Sequence, residues 1–240
     1  IVNIPLPPYT SEEGILAAAE NIIKPILEDF KPDIIINSAG QDNHYSDPIT
    51  HMNFSAQGYA ELTKLLAPDI AVLEGGYSIE GALPYVNVGI ILAMAGVDFT
   101  HVKEPDYDPD KIRQKPEISQ WIDDIGKITL DNWQKRHEIK EKALDSGPFE
   151  ERSRSIFYDT DNISEKQMET IRVCPDCSGA LKIDTTSSST EHLLAVHIPR
   201  KACDKCKSLG HEWYQKAETD RFDAVILQDR TKDKYLQRKG

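Results

Sequence analysis

Two stretches, Asp33-Ile34-Ile35-Ile36-Asn37-Ser38-Ala39-Gly40 and Ile70-Ala71-Val72-Leu73-Glu74-Gly75-Gly76-Tyr77, decide the fold. Each is a short apolar run closed by glycine, which reads as a buried strand. Helical signals surround them. Thr10 followed by Glu13 has capping-box spacing and predicts a helix to about Phe30, with Pro25 as a kink or break. Ser55 caps a second helix through about Leu66, and a third occupies about Ile79 to Ala95. The order helix, strand, helix, strand, helix predicts an α/β fold with a parallel, helix-covered sheet. Such sheets place ligand chemistry beyond the carboxyl ends of their strands. The loops Ser38 to Asn53 and Glu74 to Ser78 are therefore the candidate site.

Outward from this core, Asn3 to Tyr9 holds Pro5, Pro7 and Pro8 and is an extended entry loop. Glu104 to Pro116, rich in Asp, Pro and Lys, marks a boundary. Residues 117–145 carry apolar positions at helical spacing, and Ser146 to Ser164 read as linker. Three parts are expected: residues 1–103, an acidic helical connector and linker over 104–170, and a cysteine-bearing module with a charged tail over 171–240. The charge follows this division. Of 28 Lys and Arg and 40 Asp and Glu, 13 and 10 fall in 171–240, so that part carries +3 and residues 1–170 carry −15. The acidic part disfavours non-specific nucleic-acid binding and suits a cationic partner, whereas the basic tail leaves nucleic acid open. No apolar run approaches the roughly 18 to 20 residues of a membrane helix, so no membrane partner is expected. The first residue is Ile1, and no signal-peptide pattern follows it. These residues are expected to be part of a longer chain.

The two strand-end loops read Ser38-Ala39-Gly40-Gln41-Asp42-Asn43-His44-Tyr45-Ser46-Asp47-Pro48 and Leu73-Glu74-Gly75-Gly76-Tyr77. Here the sequence resembles the histone deacetylase superfamily, including acetoin-utilisation proteins and acetylpolyamine amidohydrolases. The resemblance extends to Asn3-Ile4-Pro5-Leu6-Pro7-Pro8 and Gly58-Tyr59-Ala60-Glu61-Leu62, covering about residues 2–98. It implies the three-layer arginase/deacetylase fold, of which this would be the carboxyl-terminal portion. It also implies hydrolysis of acetyl-lysine or acetylated-amine amides, on a protein or a small amine, by zinc-activated water. Asp42 matches a catalytic-zinc ligand, a hard oxygen donor that leaves a position open for water. Tyr77 matches the tyrosine that donates its hydroxyl to the scissile carbonyl and stabilises the oxyanion. Gly40, Gly75 and Gly76 support the turns, while His44 and Asp47 order the loop rather than bind metal. The tandem His pair and the separate Asp-x-His of the family are absent from these 240 residues. One carboxylate and one tyrosine cannot hold a catalytic zinc, so this chain alone is expected to be inactive.

Cys174-Pro175-Asp176-Cys177 and Cys203-Asp204-Lys205-Cys206 hold all four cysteines of the chain. Two Cys-x-x-Cys pairs at this separation point to a structural zinc in a small β-rich zinc ribbon, with redox pairs or free thiols as the other readings. Thiols clustered in this way point to a reducing, cytoplasmic setting. Ala180 to Ile183 and Leu193 to Ile198 pair as strands across a tip at Thr185 to Thr190. His192, His197 and His211 are spare ligands, read as surface or strand residues. Zinc ribbons dock proteins, contact nucleic acids or simply staple a small fold. Phe222 to Leu227 reads as a strand and Asp229 to Gly240 as a frayed helix. The competing class is a non-catalytic zinc-ribbon interaction module on a remnant of an enzyme fold.

Overall fold

Ile36–Ala39 (β1) and Ile70–Leu73 (β2) pair in parallel, Ile36 opposite Ile70 and Ala39 opposite Leu73, so both strands end at one level. The computed structural model describes residues 1–105, 107–189 and 191–239. The chain is α/β and forms two compact units, Ile1–Arg136 and His137–Gly240.

In the first unit a helical stretch precedes β1. It comprises Glu12–Ala18 (α1), a π turn over Ala19–Ile23 and Lys24–Phe30 (α2). Ser11, not Thr10, caps it: the Ser11 hydroxyl accepts from Glu13 N, while Thr10 Oγ1 donates to Pro7 O at 2.7 Å. Pro25 does not end the helix, which runs on through α2 to Phe30. Proline lacks an N–H and crowds the carbonyl four residues back, and here it falls in the first turn of α2, directly after the π turn. Ala56–Leu66 (α3) starts at the expected cap, Ser55 Oγ accepting from Gly58 N at 3.1 Å. Leu83–Met94 (α4) begins four residues later than expected, with Pro84 in its first turn where a missing N–H costs nothing. One face of the strand pair packs with α3 and α4 on a core of Ala39, Phe54, Tyr59, Val86 and Ile90. The other face is bare: Ile36, Ile70 and Val72 are exposed, so burial on both faces is not what these strands have. A second core joins Ala18, Ile22 and Ile26 to Ile122 of Pro116–Gln134 (α5). Glycine at 126 permits this approach, since a Cβ there would lie 2.9 Å from Ile22 Cδ1.

Arg136–Asp145 (α6) leads to the six-stranded sheet of the second unit, in the order β3-β4-β5-β6-β7-β8. Its strands are Phe149–Tyr158 (β3), Ile163–Arg172 (β4), Leu181–Ser187 (β5), His192–Ile198 (β6), Ala224–Asp229 (β7) and Lys234–Lys239 (β8). All neighbours are antiparallel except β6 and β7, which are parallel and joined through the helix Asp204–Lys216 (α7). Two sequence expectations fail here. Ser146 to Ser164 is no linker, because most of it is β3 and the turn into β4. The tail is no frayed helix, because Lys234–Lys239 is an edge strand on β7. The expected tip at Thr185 to Thr190 is shorter, β5 continuing to Ser187, and Thr190 lies outside the described residues. α7 covers β6 and β7, its Gly210 lying where a Cβ would meet Ile198 Cγ1 at 2.5 Å. The core beneath it is Leu194, Val196, Ile198, Val225 and Leu227.

Candidate functional site

Because β1 and β2 end level, the loops leaving them run side by side. Gln41 N donates to Gly75 O at 2.5 Å and Glu74 N to Ala39 O at 3.2 Å. The glycines make room for Asp42. A Cβ at Gly40 would lie 3.0 Å from Asp42 Oδ1, and one at Gly75 would lie 3.0 Å from Asp42 Oδ2 and 3.5 Å from Tyr77 Cε2. The carboxylate and the phenol ring thus flank one point, the bare face of Gly75. Gly76 is equally confined, a Cβ there falling 2.9 Å from Gln41 Cβ. Asp42 is half-buried, and Tyr77 is 51% exposed, so both groups are open to a ligand.

Asp47 braces the pair. Its buried carboxylate accepts from Ile49 N at 2.9 Å through one oxygen and from Tyr77 N at 2.8 Å through the other. His44 is fully buried and committed elsewhere. Its Nδ1 accepts from Ser46 N at 3.2 Å, which leaves Nε2–H to donate to Glu104 Oε1 at 3.1 Å. Ser46 Oγ in turn lies 2.8 Å from Ser78 Oγ, next to Tyr77. Burial pushes the Glu104 carboxyl up, but the hydrogen bonds from His44, its own backbone and Tyr45 outweigh it and hold the group below its usual range. Tyr59 supports the loop from below, its hydroxyl accepting from Asn43 N at 3.1 Å; burial raises its pKa far above the usual phenol value. Sequence reasoning missed Glu104, Asn87 and the role of Gln41, whose Nε2 donates to Asn87 Oδ1 at 2.5 Å. No local pattern marks a partner 60 residues away.

A catalytic zinc takes about three protein donors and keeps a position for water. Asp42 is one donor, and His44 and Asp47 are engaged as described. Among the described residues the one cluster able to hold a metal is elsewhere. The residues of this loop pair therefore do not make a zinc centre by themselves.

That cluster is Cys174, Cys177, Cys203 and Cys206, whose sulfurs all lie within 4.8 Å of one another. Cys174 Sγ and Cys203 Sγ are 3.8 Å apart. Tetrahedral zinc with Zn–S of about 2.3 Å spaces its sulfurs by about 3.8 Å, so the donors fit the ion. The first pair lies between β4 and β5, where Gly179 N donates to Cys177 Sγ at 3.3 Å. Gly179 has φ +78°, and a Cβ there would sit 1.9 Å from Arg172 O, so glycine is required. The second pair sits on α7, with Cys203 at its N-cap and Cys206 in its first turn. The Cys203 thiol is lowered to about 7, chiefly by the hydrogen bond from Cys206 N; burial opposes this, and the neighbouring thiols add to the lowering. Burial pushes the Cys206 thiol up. His192 and His211 are bound to Asp184 and Asp229, at 2.6 and 3.0 Å, and His197 to Gln228 at 2.8 Å, so the histidines have other partners.

Residues 1–87 match the histone deacetylase domain family. A probable deacetylase of Archaeoglobus fulgidus is 44% identical over 147 residues, 55% of this chain and 41% of that protein. The acetoin utilization protein AcuC of Bacillus subtilis is 34% identical over 132 residues, half of this chain and 34% of that one. The chain thus spans less than half the length of these relatives. A solved HDA15 HD domain overlaps 60% of this chain and 38% of its own at 23% identity, with a TM-score of 0.45. Among the described residues, no helix is long and apolar enough to cross a membrane.

Proposed function

Residues 1–87 belong to the histone deacetylase superfamily, and from that premise we propose that the protein hydrolyses the amide of an acetylated lysine or acetylated small amine, with Tyr77 donating to the oxyanion and Asp42 serving as one ligand of a catalytic zinc. The observation that carries this reading is the placement of the Asp42 carboxylate and the Tyr77 ring about Gly75. A phenol there supplies a hydrogen bond to charge that develops only as the carbonyl is attacked. Asp47 fixes the backbone from which that phenol projects, and the buried His44–Glu104 pair fixes the loop that carries Asp42. Among the described residues no group of three donors forms around Asp42, so no step is assigned to the metal. The arginase/deacetylase fold belongs to residues 1–103 in this reading. The four cysteines of the second unit, His137–Gly240, hold a separate, structural zinc, and the setting is cytoplasmic.

The test uses the protein expressed from its own gene and an acetyl-lysine peptide. Tyr77→Phe is expected to lower kcat about 10²- to 10³-fold with little change in KM, and Asp42→Ala to reduce bound zinc by one ion per chain. Unchanged kcat in Tyr77→Phe overturns the assignment. The 240-residue chain alone is expected to show no turnover, and full-rate deacetylation by it would overturn the claim that its metal site is incomplete.

A further inference from the structure

The second unit separates its charges along the sheet. The parallel strands β6 and β7 end side by side, Ile198 opposite Asp229, and Arg230 N donates to Ile198 O at 2.9 Å. This brings together the segment after β6, the first turn of α7 and the turn between β7 and β8. Arg200, Lys201, Lys205, Arg230, Lys232 and Lys234 are all exposed there. The acids at this end offset them little. Asp229 is buried against His211 and Thr231, Asp204 pairs with Lys207 at 3.1 Å, and Asp233 and Asp176 remain. The opposite end, with Asp159, Asp161, Glu191, Asp220 and Asp223, is acidic.

The sheet face opposite α7 runs into this cationic end. Side chains alternate along strands, and Val196, Ile198, Val225 and Leu227 point to α7. His197 and Gln228 therefore point the other way, hydrogen-bonded to each other at 2.8 Å. The strand registers extend that row to Tyr235 of β8, which is 62% exposed. An open sheet row with an exposed aromatic ring, hydrogen-bonding groups and adjoining cations has the elements that bind unpaired nucleotides: bases stack on the ring while phosphates meet the cations.

We propose that this corner of the second unit binds single-stranded nucleic acid, with Tyr235 stacking a base, His197 and Gln228 meeting base edges, and the six cations following the phosphates. The proposal is independent of the deacetylase reading, since it uses no residue of the first unit. The four-cysteine cluster enters by holding the start of α7, and hence Lys205, beside the strand ends.

The test measures fluorescence anisotropy of a labelled oligothymidylate of about 15 nucleotides with the full 240-residue chain, zinc-loaded, between about 50 and 200 mM salt. Expected are saturable binding that weakens with salt, a roughly 5- to 100-fold loss in Tyr235→Ala with retention in Tyr235→Phe, and a salt slope shallower by about 2 in the triple variant Arg230→Gln, Lys232→Gln, Lys234→Gln. These positions are on the surface, and retained zinc content reports that each variant is folded. No binding at the lowest salt overturns the proposal. So does equal binding by Tyr235→Ala, or equally tight binding of polyglutamate, which would mark a general polyanion or acidic-protein surface.

Discussion

The residues that shape the site do so by what they leave out or hold fixed. Gly75 is open on the side where Asp42 and Tyr77 converge, and Gly75→Ala would push a methyl group against the carboxylate, 3.0 Å from Oδ2. Gly179 is more constrained. Gly179→Ala is expected to destabilise the second unit by at least about 2 kcal/mol, combining the left-handed backbone penalty with overpacking against Arg172 O; chemical denaturation monitored at Trp213 checks this. His44→Ala would leave the Glu104 carboxylate buried without its main donor, a loss of about 1–3 kcal/mol. Glu104 also sets a pH dependence. Its folded pKa lies below its ordinary 4.5, so its stabilising contribution is complete above that value and is lost as pH falls through the folded pKa. Acid titration of the wild type and Glu104→Gln should diverge only below about pH 5. The placement of Asp42, Tyr77 and their glycines just beyond two strand ends was legible in the sequence, because glycine-closed apolar runs leave a local signature. Glu104 was not, since one acid in a polar stretch looks like any solvated charge until the fold sets it against an imidazole.

Elements were legible where periodicity and caps agreed. Ser55 and the run after it describe α3 to the residue, and Ser55→Ala is expected to cost about 1 kcal/mol of stability in urea unfolding. The stretch at Pro25 failed as a break because the proline falls in the first turn of α2, directly after a π turn that is invisible to a 3.6-residue period. Strands β3 and β8 were missed for a different reason. Both are edge strands carrying charge on both faces, as sheet edges do to discourage pairing with other chains. Phe149-Glu150-Glu151-Arg152-Ser153-Arg154 has no alternation to read. Its order comes from the partner strand, where Glu169, buried, takes Arg152 and holds Arg154 at 3.3 Å. The two arginines hold the Glu169 carboxyl below its usual range against the opposing effect of burial.

On the scale of the whole molecule, the two units have separate cores, two in the first and one in the second. Chelation of metal from the 240-residue chain is expected to loosen residues 171–229 and leave α3 and α4 protected, which hydrogen exchange resolves by segment. Metal analysis of the same chain should return one zinc, bound at the cysteines. The bare side of the β1–β2 pair has a colloidal consequence. Ile36, Ile70 and Val72 are 42–60% exposed, on two strands that, among the described residues, pair with each other alone. Such a ribbon is a template for strand addition and sets the concentration at which the chain stays dispersed. Ile36→Lys with Val72→Lys should raise that concentration, read by light scattering, without moving the thermal transition of the second unit.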